Sequence, residues 1–205
     1  MTHLDRRTLL LGAGAGLALA GCGRSEAEPA QAATGKAGKL IAAARAQIGV
    51  TIRYDPAYTP LAFPGGDVPR ERGVCTDVVI RAYREALGID LQALVNADMR
   101  EEFSAYPRIW GLRRPDRSID HRRVPNLRTW LSRQGAALPI PADGSGWRPG
   151  DIFTSLVDQR PHIGLVSDRR GPRGWLIVHN IGAGTREEDN LAAWPITGRY
   201  RWGLG

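Results

Sequence analysis

Arg72-Gly73-Val74-Cys75-Thr76-Asp77-Val78-Val79-Ile80-Arg81 is the stretch on which the reading of this chain turns. From Thr76 to Leu87, Val78, Val79, Ala82, Tyr83 and Ala86 recur at helical spacing. Gly88 supplies the stop. The expectation is a helix with a cysteine at or just before its first residue. Unpaired N–H groups and the positive end of the dipole favour a thiolate at that place. Asp77 suits a helix start but opposes a thiolate by its charge. The plainer alternative is a buried cysteine that acts as a small hydrophobe.

The chain has 205 residues and two cysteines, Cys22 and Cys75. Arg6 and Arg7 precede an apolar stretch from Leu9 to Ala20. That stretch is too short for a bilayer core, which needs about 20 residues. It ends in Leu19-Ala20-Gly21-Cys22, which resembles a bacterial lipobox. Residues 1–22 therefore read as a signal peptide, with Cys22 as the lipid-carrying residue after cleavage. A plain secretory signal cut near Ala20 is the alternative, and the arginine pair also suits the twin-arginine route. Residues 23–36 have the composition of a flexible tether. The expectation is an exported envelope lipoprotein, held to a membrane and facing the periplasm or cell wall. A lipidated Cys22 leaves Cys75 as a lone thiol.

Residues 37–205 make roughly one domain's length, large enough for a core without disulfides. The formal net charge is +7, and seven arginines fall between Arg108 and Arg128. A positive face attracts nucleic acid, anionic lipid or an anionic polymer. Export argues against nucleic acid and for carboxylate-bearing wall peptides or headgroups. A solvated arginine-rich surface without a ligand is the bland alternative. A monomer is expected, with no cofactor.

Along the domain, helices are expected over 36–48, 76–87, 90–103 and 124–133, with Pro125 in a first turn. Pro56, Pro60, Pro64, Gly65 and Gly66 mark residues 51–69 as an ordered loop. After Gly150 the pattern turns to strands at 151–157, 163–167, 175–178 and 196–200. Helices followed by a meander of strands predict an α+β domain with helices packed on a small antiparallel sheet.

A thiolate nucleophile needs a base, and the base needs an orienting group. His162 opens one expected strand and His179 ends the next. If a hairpin joins them, both imidazoles face one helix start. Asn180 is an alternative orienter. His121 lies within Asp120-His121-Arg122-Arg123, either in a salt network or along a substrate cleft. Tyr54 and Tyr58 are read first as packing.

Gly150-Asp151-Ile152-Phe153, His162-Ile163-Gly164-Leu165-Val166 and Val178-His179-Asn180 resemble the C-terminal half of NlpC-type papain-like peptidases. That resemblance implies a papain-like fold and a Cys75–His162–His179 triad cleaving amide bonds in peptidoglycan stem peptides. The family's Asp-Cys-Ser-Gly is Val74-Cys75-Thr76-Asp77 here, and its tyrosine loop has only Tyr54 or Tyr58 before Gly65-Gly66 as a stand-in. Gly73 to Arg81, Ile119 to Leu127 and His179-Asn180-Ile181-Gly182 resemble more closely an uncharacterised bacterial family, domain of unknown function 1287.

The leading expectation is thus an envelope-anchored cysteine hydrolase. Tyr54, Asp120, His121, Arg122, Arg123 and Asn180 are the candidate substrate contacts. Competing expectations are a vestigial papain-like domain that binds cell wall or an envelope partner, a zinc site from His121, His162 and His179, and a transglutaminase-like transferase with Asp168 behind the base.

Overall fold

A computed structural model describes residues 32–142 and 144–204. The expected signal peptide, Cys22 and most of the tether lie outside the described residues. Four helices are α1 (Gly35–Arg45), α2 (Cys75–Leu87), α3 (Leu91–Glu101) and α4 (Val124–Arg133). Gly35 and Lys36, read as the end of the tether, form the first turn of α1.

Six strands build one antiparallel sheet: β3 (Ala137–Leu138), β4 (Ile152–Val157), β5 (Arg160–Gly171), β6 (Gly174–Asn180), β7 (Thr185–Glu188) and β8 (Ile196–Tyr200). Their spatial order is β3-β8-β4-β5-β6-β7. The domain is therefore α+β, with helices leading and a meander following. A separate pair, β1 (Arg53–Tyr54) and β2 (Arg72–Gly73), runs parallel inside what reads as loop.

Alternation along β5 sorts the core into two layers. Ile163 and Leu165 join Val178, Ile152 and the buried faces of α1, α2 and α4. Val166, one residue out of phase, joins Phe153, Ile177 and Trp147 on the opposite face. Cys75 belongs to the helix-side layer. The long loop before α2 is held by Arg81, 1% exposed, whose guanidinium bonds Asp67, Thr51 and the carbonyls of Val68 and Arg72. Buried positive charge on a helix is tolerated because every donor has an oxygen. Among the described residues no helix is long and apolar enough to cross a membrane.

Candidate active site

α2 begins at Cys75 itself, with Val74 extended before it. The Asp77 carboxylate accepts the Val74 N–H at 2.7 Å and so caps the helix start. The same carboxylate accepts Arg122 Nε and Nη2, both at 2.8 Å, in a buried bidentate pair. Thr76 Oγ1 donates to the Arg122 carbonyl at 3.0 Å. The residues after the cysteine thus clamp a segment some 45 positions away.

The thiol itself is 4% exposed. The Ile163 and Thr76 N–H groups and the Tyr54 hydroxyl lie toward its sulphur and favour the charged form. Tyr54 gets there because β1 places it beside Gly73 in register. Burial outweighs these donors and, with the Asp77 charge adding to it, pushes the thiol up to about 11. The balance that the sequence left open between helix start and Asp77 thus falls to the thiol at neutral pH, because lost solvation exceeds what the helix start returns.

The two histidines meet. His162 Nε2 and His179 Nδ1 lie 2.9 Å apart, and His179 Nε2 lies 2.9 Å from Glu188 Oε2. A carboxylate only accepts, so His179 carries its proton on Nε2 and accepts at Nδ1. His162 must then donate from Nε2, which leaves Nδ1 as its lone pair. Among the described residues that Nδ1 has no hydrogen bond. The three side chains step across adjacent strands β5, β6 and β7 on one face. Gly164 permits the closeness, since a Cβ there would lie 2.9 Å from His179 Cβ and 2.7 Å from the Phe153 ring. Trp194 covers both imidazoles at centroid distances of 6.2 and 6.1 Å. Burial, with His179 adding to it, pushes His162 down to about 3, and burial also lowers His179 against the pull of Glu188.

No hydrogen bond joins Cys75 to either imidazole among the described residues; Cys75 and Ile163 share the helix-side layer, whereas the imidazoles pack on Phe153 and Trp194 of the other. A cleft of about 520 Å³ opens over Cys75, lined by Tyr54, Tyr58, Val74, Trp110, Arg122, Arg123 and Pro161 among others.

Three of the expected substrate contacts are placed elsewhere. Asp120 is 1% exposed and spent on Arg123 at 2.9 Å and on the Asp116 N–H. His121 is 2% exposed, has an unbonded Nδ1 and is pushed down to about 4 by burial. Asn180 is fully buried and donates to the Gly73 carbonyl at 3.1 Å, tying the end of β6 to the chain before Cys75. Asp168 accepts from Arg45 at 2.7 Å and from the Ala33 N–H, so it orients no imidazole. Among the described residues no three His, Cys, Asp or Glu side chains group as a metal set.

Glu188 is the residue that sequence reasoning missed. Thr185-Arg186-Glu187-Glu188 has neither apolar alternation nor β-branched enrichment beyond Thr185, so it gives no strand signal. The turn at Gly182-Ala183-Gly184 was the usable hint, because a meander that turns there must return beside β6.

Three histidines buried in neutral form carry a consequence for pH. Each has a folded pKa below its ordinary 6.5. Below pH 6.5 the unfolded chain takes up protons that the folded chain refuses, so stability falls as pH falls. The slope approaches about 1.4 kcal/mol per pH unit for each histidine. Urea midpoints measured from pH 7 to 4.5 are expected to drop steeply below 6.5; a flat profile down to pH 5 would show that these imidazoles protonate in place.

Comparison with known proteins matches residues 41–202 to the family described as Domain of unknown function (DUF1287). The chain is also 53% identical over 161 residues to Uncharacterized protein YijF of Escherichia coli (strain K12), covering 78% of each. The cleft, the buried Asp77–Arg122 clamp and the histidine pair all fall inside the matched span, and the chain belongs to the DUF1287 family.

Proposed function

We propose that this protein is a papain-like cysteine hydrolase of the NlpC type, cleaving amide bonds in peptidoglycan stem peptides from an envelope-anchored position. The observation that carries it is the buried His162–His179–Glu188 line, which orients an imidazole with an unbonded Nδ1 on β5, the strand whose other face packs in the Cys75 layer. Because the thiol starts protonated, attack and proton transfer occur together. The sulphur adds to the carbonyl carbon while its proton passes to His162 Nδ1. The Cys75 N–H at the helix start and the Tyr54 hydroxyl receive the oxyanion. The imidazolium is stabilised through His179 by Glu188. His162 then protonates the leaving amine, the C–N bond breaks and a thioester remains. Water, deprotonated by the same nitrogen, releases the carboxylate product.

A second reading, a catalytically inactive domain that binds cell wall or an envelope partner, is favoured by the protonated thiol and the missing Cys75–His162 bond. Incubation with defined muropeptides, read by mass, separates the two. Hydrolysis is expected to yield product pairs whose summed mass exceeds the substrate by one water. Glu188→Gln is expected to lower kcat with little change in KM. Intact substrate across the panel would sink the hydrolase reading.

A further inference from the structure

The two arginines expected to hold substrate are already neutralised. Arg122 is locked on Asp77, and Arg123 pairs with Asp120 while stacking over the Trp110 ring at 4.1 Å. The cleft over Cys75 therefore offers aromatic and apolar walls with its charges spent. Unspent charge lies next door. A second hollow of about 730 Å³ shares Tyr58 with the cleft and is lined by Phe63, Arg100, Arg114, Asp116 and Arg117. Among the described residues Arg100 and Arg114 have no acidic partner, and Arg117 packs over the Phe63 ring at 5.7 Å. Asp116 is the sole carboxylate on that wall, and it is occupied by the Tyr58 hydroxyl at 3.2 Å and the Ser118 N–H at 2.9 Å. Three guanidinium groups against one carboxylate leave a positive hollow, open to solvent, one tyrosine away from the thiol.

We propose that this hollow is an anion subsite that receives a carboxylate of the substrate, remote from the amide that is cut. The inference rests on the hydrolase reading for what lies over Cys75. Planar guanidinium forks match carboxylates in bidentate geometry, and free ones hold them better than forks already filled. Tyr58 forms the wall common to both spaces, so one extended ligand spans them: its neutral amide segment beside Cys75 and its acidic segment beside Arg100 and Arg114. The substrate class is thus an acidic peptide, and discrimination is against its uncharged analogue.

Binding to the Cys75→Ala protein tests this without turnover. The probes are a muropeptide with free carboxylates and the same muropeptide with those carboxylates amidated, titrated by calorimetry at low salt. The free acid is expected to bind roughly tenfold tighter or more. Replacing the exposed pair by Arg100→Ala and Arg114→Ala is expected to erase that difference while leaving the amidated peptide's affinity unchanged. Equal affinity for the two peptides, binding of neither, or a preference that survives the double substitution would overturn the subsite. The hydrolase reading fails separately: a preference retained by a wild-type protein that cuts nothing keeps the subsite and removes the chemistry, whereas cleavage of both peptides at equal KM does the reverse.

Discussion

Cys75→Ala is expected to lower muropeptide turnover by about a thousandfold or more while the protein still folds. In the proposed reaction the sulphur is the atom that forms the covalent bond, and alanine offers nothing in its place. Cys75 is the free cysteine among the described residues, so no neighbouring thiol substitutes for it. The structural cost is smaller. Alanine fits a helix first turn, but it removes a buried sulphur from the helix-side core. Such a truncation in a core costs about 0.5–3 kcal/mol. Melting by circular dichroism should therefore show a cooperative transition several degrees lower. Undiminished cleavage by the folded variant would place the nucleophile elsewhere.

Arg122→Ala is expected to produce the largest loss of stability, about 3–5 kcal/mol. Both side chains of the Asp77–Arg122 pair are almost wholly out of water, at 3% and 2% exposed. Removing the guanidinium strands a buried carboxylate that still caps Val74. The double change Asp77→Ala with Arg122→Ala should cost less than the two single changes summed, because no lone charge is left behind. Urea midpoints of the four proteins decide it. A loss below about 1 kcal/mol for Arg122→Ala would mean that solvent reaches the pair.

Much of the frame was legible because it rests on periodicity. The helical stripe through Val78, Ala82 and Tyr83, the stop at Gly88 and the four long strands come directly from apolar spacing, and α2 begins within one residue of its expected start. The elements that escaped are short or polar. β1 and β2 are two residues each, paired across a loop rich in proline, and they matter only because they carry Tyr54 to the thiol. β7 is charged at three of its four residues. The histidines were found because their residue type is rare and chemically telling. Their partner was not, because one glutamate among many carries no mark in sequence. Asp77 shows a further limit. Read from sequence it competes with the thiolate, and in the fold its charge does raise the thiol, but burial, which sequence does not display, is the larger cause.

The bond from the Ala33 N–H to Asp168 fixes where the chain enters the domain. Asp168 lies on β5 six residues beyond His162, which is about 20 Å along an extended strand. Entry point and cleft thus sit toward opposite ends of the same strand. The described chain therefore enters at the Asp168 end of β5, about a strand's length from the mouth over Cys75 that Pro161 lines.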